Sequence, residues 1–104
     1  MKKTTFKKNL PLTTIDAEPE KSFWLSDGRN LKNLKELASA FEAMDETVWN
    51  HHVTSEKNDF ANWVEEVFNQ HQLSVLIRKA KSPRSAAKRV QSKFETSKFW
   101  SFLM

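Results

Sequence analysis

The ten residues DFANWVEEVF, near the middle of the chain, predict a helix that lies in the protein core. Its large apolar side chains are spaced i, i+3, i+4, i+7 and i+8, at Phe60, Trp63, Val64, Val67 and Phe68. This spacing puts them on one face of a helix, whereas a strand would need alternation with period two. Asn58 or Asp59 can cap the first turn. Other elements of the chain must therefore cover this apolar face.

Apolar residues recur at helical spacing in further segments. One stripe covers residues 31–44 and follows Asn30, which we expect to be the N-cap. Asp45 can cap a short helix over about 46–52, and another stripe covers residues 73–80. One Gly and three Pro in 104 residues argue against a turn-rich β-sandwich. We therefore predict an all-α fold, a compact bundle of four or five short helices.

The last predicted helix has a clear start signal. Ser82 can cap it, and Pro83 suits the first helical position because the N–H that proline lacks would be unpaired there. The apolar stripe of this helix is thin and consists of Ala86, Val90 and Phe94. We expect a basic C-terminal helix over about residues 83–98.

The first 21 residues are polar, aperiodic and broken by Pro11 and Pro19. They predict a flexible or extended arm, followed by a single helical domain over residues 22–104. We expect the core to survive removal of residues 1–20. Phe23, Trp24 and Leu25 come before a turn signal and have no visible strand partner, so we expect an extended segment there.

Charge is segregated along the chain. Residues 1–9 carry four Lys and no acid, and residues 10–77 carry five basic and twelve acidic residues. Residues 78–104 carry eight basic residues and one acid, and the total is +4. Such a layout indicates either basic ends for an anionic partner or basic ends that fold back on the acidic middle.

The segment RKAKSPRSAAKRVQSKFETSK, residues 78–98, is the strongest functional candidate. Its basic side chains, together with two on the N-terminal arm, are candidate phosphate contacts: Arg78, Lys79, Lys81, Arg84, Lys88, Arg89, Lys93, Lys7 and Lys8. The alternative is a solvated helix face, or pairing with the helix that carries Glu65 and Glu66. Aromatic residues among these basic residues favour contact with RNA or single strands, without sequence-specific reading.

The chain ends in KFWSFLM, which the sequence alone leaves with two interpretations. Phe99, Trp100 and Phe102 are candidate partner-binding residues that could enter a groove on another protein. The segment could instead fold back and complete the core, because exposed patches this apolar are uncommon on monomers.

The sequence predicts neither an enzyme nor a metal protein. There is no Cys, and the adjacent His51 and His52 point about 100° apart on a helix, so they do not share a face. His71 stands apart, one Gly cannot form a phosphate-binding loop, and no triad or carboxylate pair is recognisable. We expect no metal and no cofactor, and we expect His52 to pack or form hydrogen bonds at a helix joint.

FWLSDGRNLKNLKELASAFEAMDETVWNHHV and KNDFANWVEEVF together resemble a family of uncharacterised small helical domains from archaea and some bacteria. The family pattern is F-x-L-x-D-G, then H-V, then K-N-D-F-x-x-W. The matching residues include Leu25, Asp27, Gly28, His52, Val53, Asn58, Asp59, Phe60 and Trp63. The likeness covers about residues 23–80, and it implies a helical module without implying a reaction.

These observations predict a non-enzymatic binding module whose basic ends dock on nucleic acid or on a nucleoprotein assembly. The alternative is a protein–protein interaction adaptor with no nucleic-acid role, in which the basic ends contact an acidic protein. No segment approaches the roughly 20 apolar residues of a membrane span, so we expect a cytoplasmic protein without a membrane partner.

Overall fold

A computed structural model describes the backbone of residues 12–103 and the side chains of residues 12–94. Over this range a short antiparallel hairpin precedes five α-helices. The strands are β1 (Phe23–Trp24) and β2 (Asn30–Leu31). The helices are α1 (Leu34–Glu42), α2 (Glu46–His52), α3 (Asp59–Phe68), α4 (His71–Lys79) and α5 (Pro83–Leu103). The predicted mostly α-helical bundle is confirmed.

The helices pack as a chain of neighbours. α3 packs against α4, α4 against α5, and α5 against α1. α5 has 21 residues and is about 31 Å long, so it is not one of the short helices that the sequence predicted. It continues past the expected end at about residue 98.

Phe60 occupies the centre of the core and is fully buried. Its ring lies 5.0 Å from Phe41, 5.1 Å from Phe23 and 5.7 Å from Trp49, measured between centroids. These rings come from α1, α2 and the hairpin, so one side chain of α3 touches three other elements. Aromatic pairs of this kind contribute about 0.5–1.5 kcal/mol each beyond the burial of their area.

Side-chain caps set the start of three helices. The Asn58 side chain accepts the Ala61 N–H at 3.0 Å, and the Ser82 hydroxyl accepts the Ser85 N–H at 3.1 Å, as predicted. Asn33, not Asn30, caps α1 and accepts the Glu36 N–H at 2.8 Å. Asp45 stands at the N-cap position of α2, but its side chain makes no capping hydrogen bond.

Asn30 is unavailable as a cap because it belongs to β2. The hairpin pairs Phe23 with Leu31 and Trp24 with Asn30, and Gly28 provides the positive φ (96°) of its turn. The segment that we expected to be unpaired is therefore a strand with a partner. The sequence did not indicate this pairing, because two-residue strands are too short to show alternation.

The predicted arm over residues 1–21 differs from the structure at residues 12–21, which lie against the helical domain. Ala17 is buried in the core, and its N–H donates to the Lys32 carbonyl at 2.7 Å. Asp16 accepts from the Asn33 side chain at 2.8 Å, and the Trp63 indole N–H donates to the Lys21 carbonyl at 2.7 Å. The sequence did not predict these contacts, because most of them use backbone groups or one small side chain in a segment that is otherwise polar.

We predict that removing residues 1–20 lowers the stability of the domain, although the core should survive, as we expect from the sequence. A chain that begins at Leu12 is the reference, because the difference between the two isolates residues 12–20. The lost burial of Ala17 and the lost Asp16–Asn33 hydrogen bond should together lower the melting temperature by several degrees. Equal melting temperatures for the two truncated chains would show that residues 12–20 contribute nothing.

We predict a graded response at Trp63. Trp63→Phe keeps a ring against Phe23 and removes the hydrogen bond to Lys21, which should cost about 1 kcal/mol of unfolding free energy. Trp63→Ala also leaves a cavity and should cost about 3–5 kcal/mol. Urea denaturation measures both, and a Trp63→Phe variant as stable as the wild type would argue against a contribution from the indole N–H.

Candidate nucleic-acid interface

The helices α4 and α5 form the basic part of the protein. No Asp or Glu occurs from residue 67 to residue 94. The basic residues of this stretch are Arg78, Lys79, Lys81, Arg84, Lys88, Arg89 and Lys93. α4 and α5 are joined by a short turn and pack against each other, so these basic residues lie on two neighbouring helices. We call the surface that carries them the α4–α5 basic face.

The first row of this face consists of Arg84 and Lys88, which are exposed and one helical turn apart. They line a shallow cavity of about 340 Å³ together with Glu42, Ala87 and Gln91. Among the described side chains, neither cation has an ion pair. These two charges are therefore available to an anionic partner.

The second row lies in a groove between α4 and α5. This groove has a volume of about 670 Å³ and is lined by Leu76, Ser85, Lys88, Arg89, Ser92 and Lys93. Arg89 and Lys93 are half-buried. The Arg89 Nε donates to the Ser85 hydroxyl at 3.5 Å, and the Lys93 Nζ donates to the Gln72 amide oxygen at 3.2 Å. Both partners are neutral, so they leave the charge of each cation uncancelled.

Three other predicted phosphate contacts, Arg78, Lys79 and Lys81, do not line the groove. Arg78 donates to the Asn62 amide oxygen at 2.8 Å and lies 3.7 Å from Glu65, so the predicted pairing with the acidic helix holds for this residue. Lys79 and Lys81 are exposed at the joint between α4 and α5. Lys7 and Lys8 lie outside the described residues, as do the side chains of Phe99, Trp100 and Phe102.

Acidic residues flank the basic face on two sides. On the α1 side, Glu42 faces the first row and accepts from the Gln91 amide. On the α3 side, Glu65 contacts His71, Ser74 and Arg78. Hydrogen bonds from His71 and then Ser74 hold the pKa of Glu65 below its usual value, so this carboxyl is an anion at neutral pH.

Sequence reasoning identified the cations of the groove but missed its neutral members. Leu76 was expected in the buried stripe, but it is half-buried and lines the groove, whereas Leu73 and Ile77 are fully buried. Ser85 lies one turn before Arg89, and this i, i+4 spacing in the sequence could have indicated the contact between them. Gln72 and Glu42 come from other helices, so only the packing of those helices reveals their role.

His52 is a titratable side chain that is buried in the described core, with 6% of its surface exposed. The Ser26 backbone N–H donates to its Nε2 at 3.0 Å, so the ring proton must lie on Nδ1. That nitrogen lies 3.0 Å from the Asp59 carboxylate and donates to it. Both ring nitrogens are occupied by the protein itself, so the predicted role of His52 in hydrogen bonding at a joint is confirmed.

The described residues contain no group of three or more His, Asp or Glu side chains positioned to hold a metal ion. Within the same range, no helix has the length and apolar character needed to cross a membrane. The absence of enzymatic activity and the absence of cofactors stay predictions.

Asp59 gives a testable pH dependence. Its partial burial acts to raise the pKa, but hydrogen bonds from Lys57 and His52 outweigh this effect and hold the pKa below its usual value. The ionised carboxylate therefore stabilises the fold. That stabilisation is complete above the unfolded pKa of about 4 and is lost as the pH falls through the lower folded value.

We predict that Asp59→Asn is less stable than the wild type at pH 7 and that this difference shrinks as the pH falls below about 4. The Asn oxygen can still accept from His52, so the change mainly removes charge. Urea denaturation between pH 7 and pH 2.5 measures the difference. A gap in unfolding free energy that stays constant down to pH 2.5 would contradict this role for the Asp59 charge.

Comparisons of this chain with protein-family models, curated proteins and solved structures found no match. The resemblance to the family of small helical domains therefore stays a prediction.

Proposed function

We propose that this protein is a non-enzymatic binding module that docks on nucleic acid through the α4–α5 basic face, in the cytoplasm. The observation that carries the proposal is the groove in which Lys88, Arg89 and Lys93 meet without any acidic side chain. Clustered cations on one surface attract the phosphate backbone and release its bound counterions.

The arrangement of the second row supports phosphate contact more than a solvated face. Partial burial restricts the side chains of Arg89 and Lys93 before any partner arrives, and Ser85 and Gln72 give each of them a neutral contact. Ordering a long side chain on binding costs about 0.5–1.5 kcal/mol, so restriction in the free protein reduces this cost. An Arg with a Ser hydroxyl beside it also offers both charged and neutral groups to phosphate oxygens.

The proposed binding is independent of sequence. Phosphates carry no base information, and the cations in both rows are suited to phosphate oxygens. None of the known DNA-reading helical motifs was recognised in the sequence. We therefore expect similar affinity for ligands of mixed sequence and equal length.

We predict that changing Arg84, Lys88, Arg89 and Lys93 to Gln weakens nucleic-acid binding for all sequences alike. Gln keeps helix propensity and removes four charges. Each lost phosphate contact should flatten the slope of log K against log salt by roughly 0.7 to 0.9. Fluorescence anisotropy with mixed-sequence RNA and DNA at several salt concentrations measures both effects.

A matched control removes four exposed charges outside the face. In this control Gln replaces Lys21, Arg29, Lys32 and Lys35, so its net charge equals that of the first variant. Binding should fall much less in this control than in the first variant, and both should melt close to the wild type. Equal losses of affinity in the two variants would show that net charge, and not the α4–α5 basic face, drives binding.

A protein–protein interaction adaptor is the second candidate, and the hairpin gives it a specific observation. Trp24 is 65% exposed, although Trp49 and Trp63 are buried. Exposed Trp is enriched at protein interfaces. Suppose the wild type binds neither RNA nor DNA at low salt, and the four changes on the basic face lower its stability. The adaptor would then be the better proposal, and Trp24→Ala would be the variant to test against a protein partner.

A further inference from the structure

His52 joins three elements of the fold, and one of its bonds depends on the charge of its ring. The ring belongs to α2, reaches Asp59 of α3 through Nδ1, and accepts the Ser26 N–H of the hairpin turn at Nε2. We propose that His52 is a pH-sensitive latch, which holds the hairpin turn when the imidazole is neutral and releases it when the imidazole is protonated.

The bond to the hairpin can form only with a neutral ring. The Ser26 backbone N–H lies 3.0 Å from Nε2 of His52 and needs the lone pair of that nitrogen. A second proton on the imidazole occupies this lone pair, so two N–H groups then face each other and repel. Protonation therefore replaces an attraction between α2 and the turn with a repulsion.

The bond to α3 survives the same protonation. Nδ1 of His52 lies 3.0 Å from the Asp59 carboxylate and carries a proton in both charge states. Partial burial acts to raise the pKa of Asp59, but hydrogen bonds from Lys57 and His52 hold it below its usual value, so this carboxyl is an anion at neutral pH. A cationic imidazole gains an ion pair there. The joint between α2 and α3 is thus kept while the turn is released.

The other charged groups near the latch are more exposed than its ring. Lys57 reaches the same Asp59 oxygen at 2.9 Å, and its side chain is 45% exposed. His51 precedes the latch on α2, with its exposed ring 4.8 Å away between centroids. On the hairpin, Asp27 and Arg29 pair with each other. Among these neighbours His51 is the one whose own titration must be separated from that of the latch.

The hairpin turn keeps its internal bonds when Ser26 is released. The Leu25 N–H donates to the Arg29 carbonyl at 2.8 Å, and the Gly28 N–H donates to the Leu25 carbonyl at 2.9 Å. Neither bond involves α2. Phe23, just before the turn, stays in contact with the ring of Phe60. Protonation should therefore loosen the turn locally without unfolding the domain.

The latch would make one exposed surface of the protein respond to pH. Trp24 is 65% exposed and lies two residues before Ser26, so movement of the turn changes how its indole is presented. Imidazole is the side chain whose ordinary change of charge falls between about pH 5 and pH 8. The α4–α5 basic face is not part of the latch, so the two proposals stand or fall separately.

NMR of the full chain between about pH 7.5 and pH 5 tests the latch. The ring resonances of His52 report its protonation, and hydrogen exchange at Ser26 is expressed as a protection factor, which removes the direct effect of pH on exchange. We expect this factor to fall about tenfold, with the same midpoint as the ring. The amides of Leu25 and Asn62, whose acceptors lie in the turn and at the start of α3, should keep their protection.

Three variants separate the latch from its neighbours. His52→Gln can keep an acceptor near the position of Nε2 but does not titrate, so protection at Ser26 should become independent of pH. His51→Gln is the matched control on the same helix and should leave the coupled transition in place. Asp59→Asn removes the charge that favours a protonated ring, so it should move both midpoints to lower pH together. This last variant still tests the latch if His52→Gln fails to fold.

Several results would overturn the latch. One is a His52 ring that stays neutral down to pH 5, and another is a protection factor at Ser26 that does not change as the ring titrates. A simultaneous loss of protection at Asn62 would show general unfolding by acid instead of a local release. Loss of the transition in His51→Gln, or midpoints that separate in Asp59→Asn, would show that another group controls the turn.

Discussion

The contact of Phe60 with three other aromatic rings is the interaction on which the rest of the domain depends. Phe23, Phe41 and Trp49 reach it from the hairpin, α1 and α2. Each of those elements is too short to be stable alone, since helices below about 12–15 residues and isolated hairpins are marginal in water. Burial against one side chain of α3 therefore stabilises elements that local propensity would not.

The proposed function is assigned to α5, an element that contributes little to this aromatic cluster over its described side chains. α5 carries a thin apolar stripe, in which Ala86, Ala87 and Val90 are buried. Small side chains let α5 lie close to α1 and α4, and over residues 83–94 much of its remaining surface carries charge. The aromatic centre thus secures the fold, and the proposed basic face lies on helices that add little aromatic surface to that centre.

Much of the helical framework was predictable, because its signals are local. The spacing of Phe60, Trp63 and Val64, the Asn58 cap and the Ser82-Pro83 start each depend on residues within a few positions of one another. The bounds of α2 also agree with the sequence, since Glu46–His52 carries buried Val48 and Trp49.

The misses share a physical cause, which is that they depend on pairing and packing that leave no local pattern in the sequence. Asn30 was assigned to a cap because its strand pairing with Trp24 leaves no periodic trace. Residues 12–21 were assigned to an arm because the groups that bind them, such as the Lys32 carbonyl and the Asn33 amide, come later in the chain. At the candidate site, the cations were predictable from composition, but the Glu42 flank and the Gln72 partner depend on how helices pack.

The hydrogen bond from Trp63 to the Lys21 carbonyl has a consequence for the order in which the chain acquires its structure. It spans 42 residues, and the bond from Ser26 to His52 spans 26. Contacts between α3, α4 and α5 join neighbours in sequence, and such contacts form faster because less loop entropy is lost. During synthesis the hairpin leaves the ribosome before α3, so it lacks its partners until α3 follows. The hairpin is therefore among the last of the described elements to be fixed.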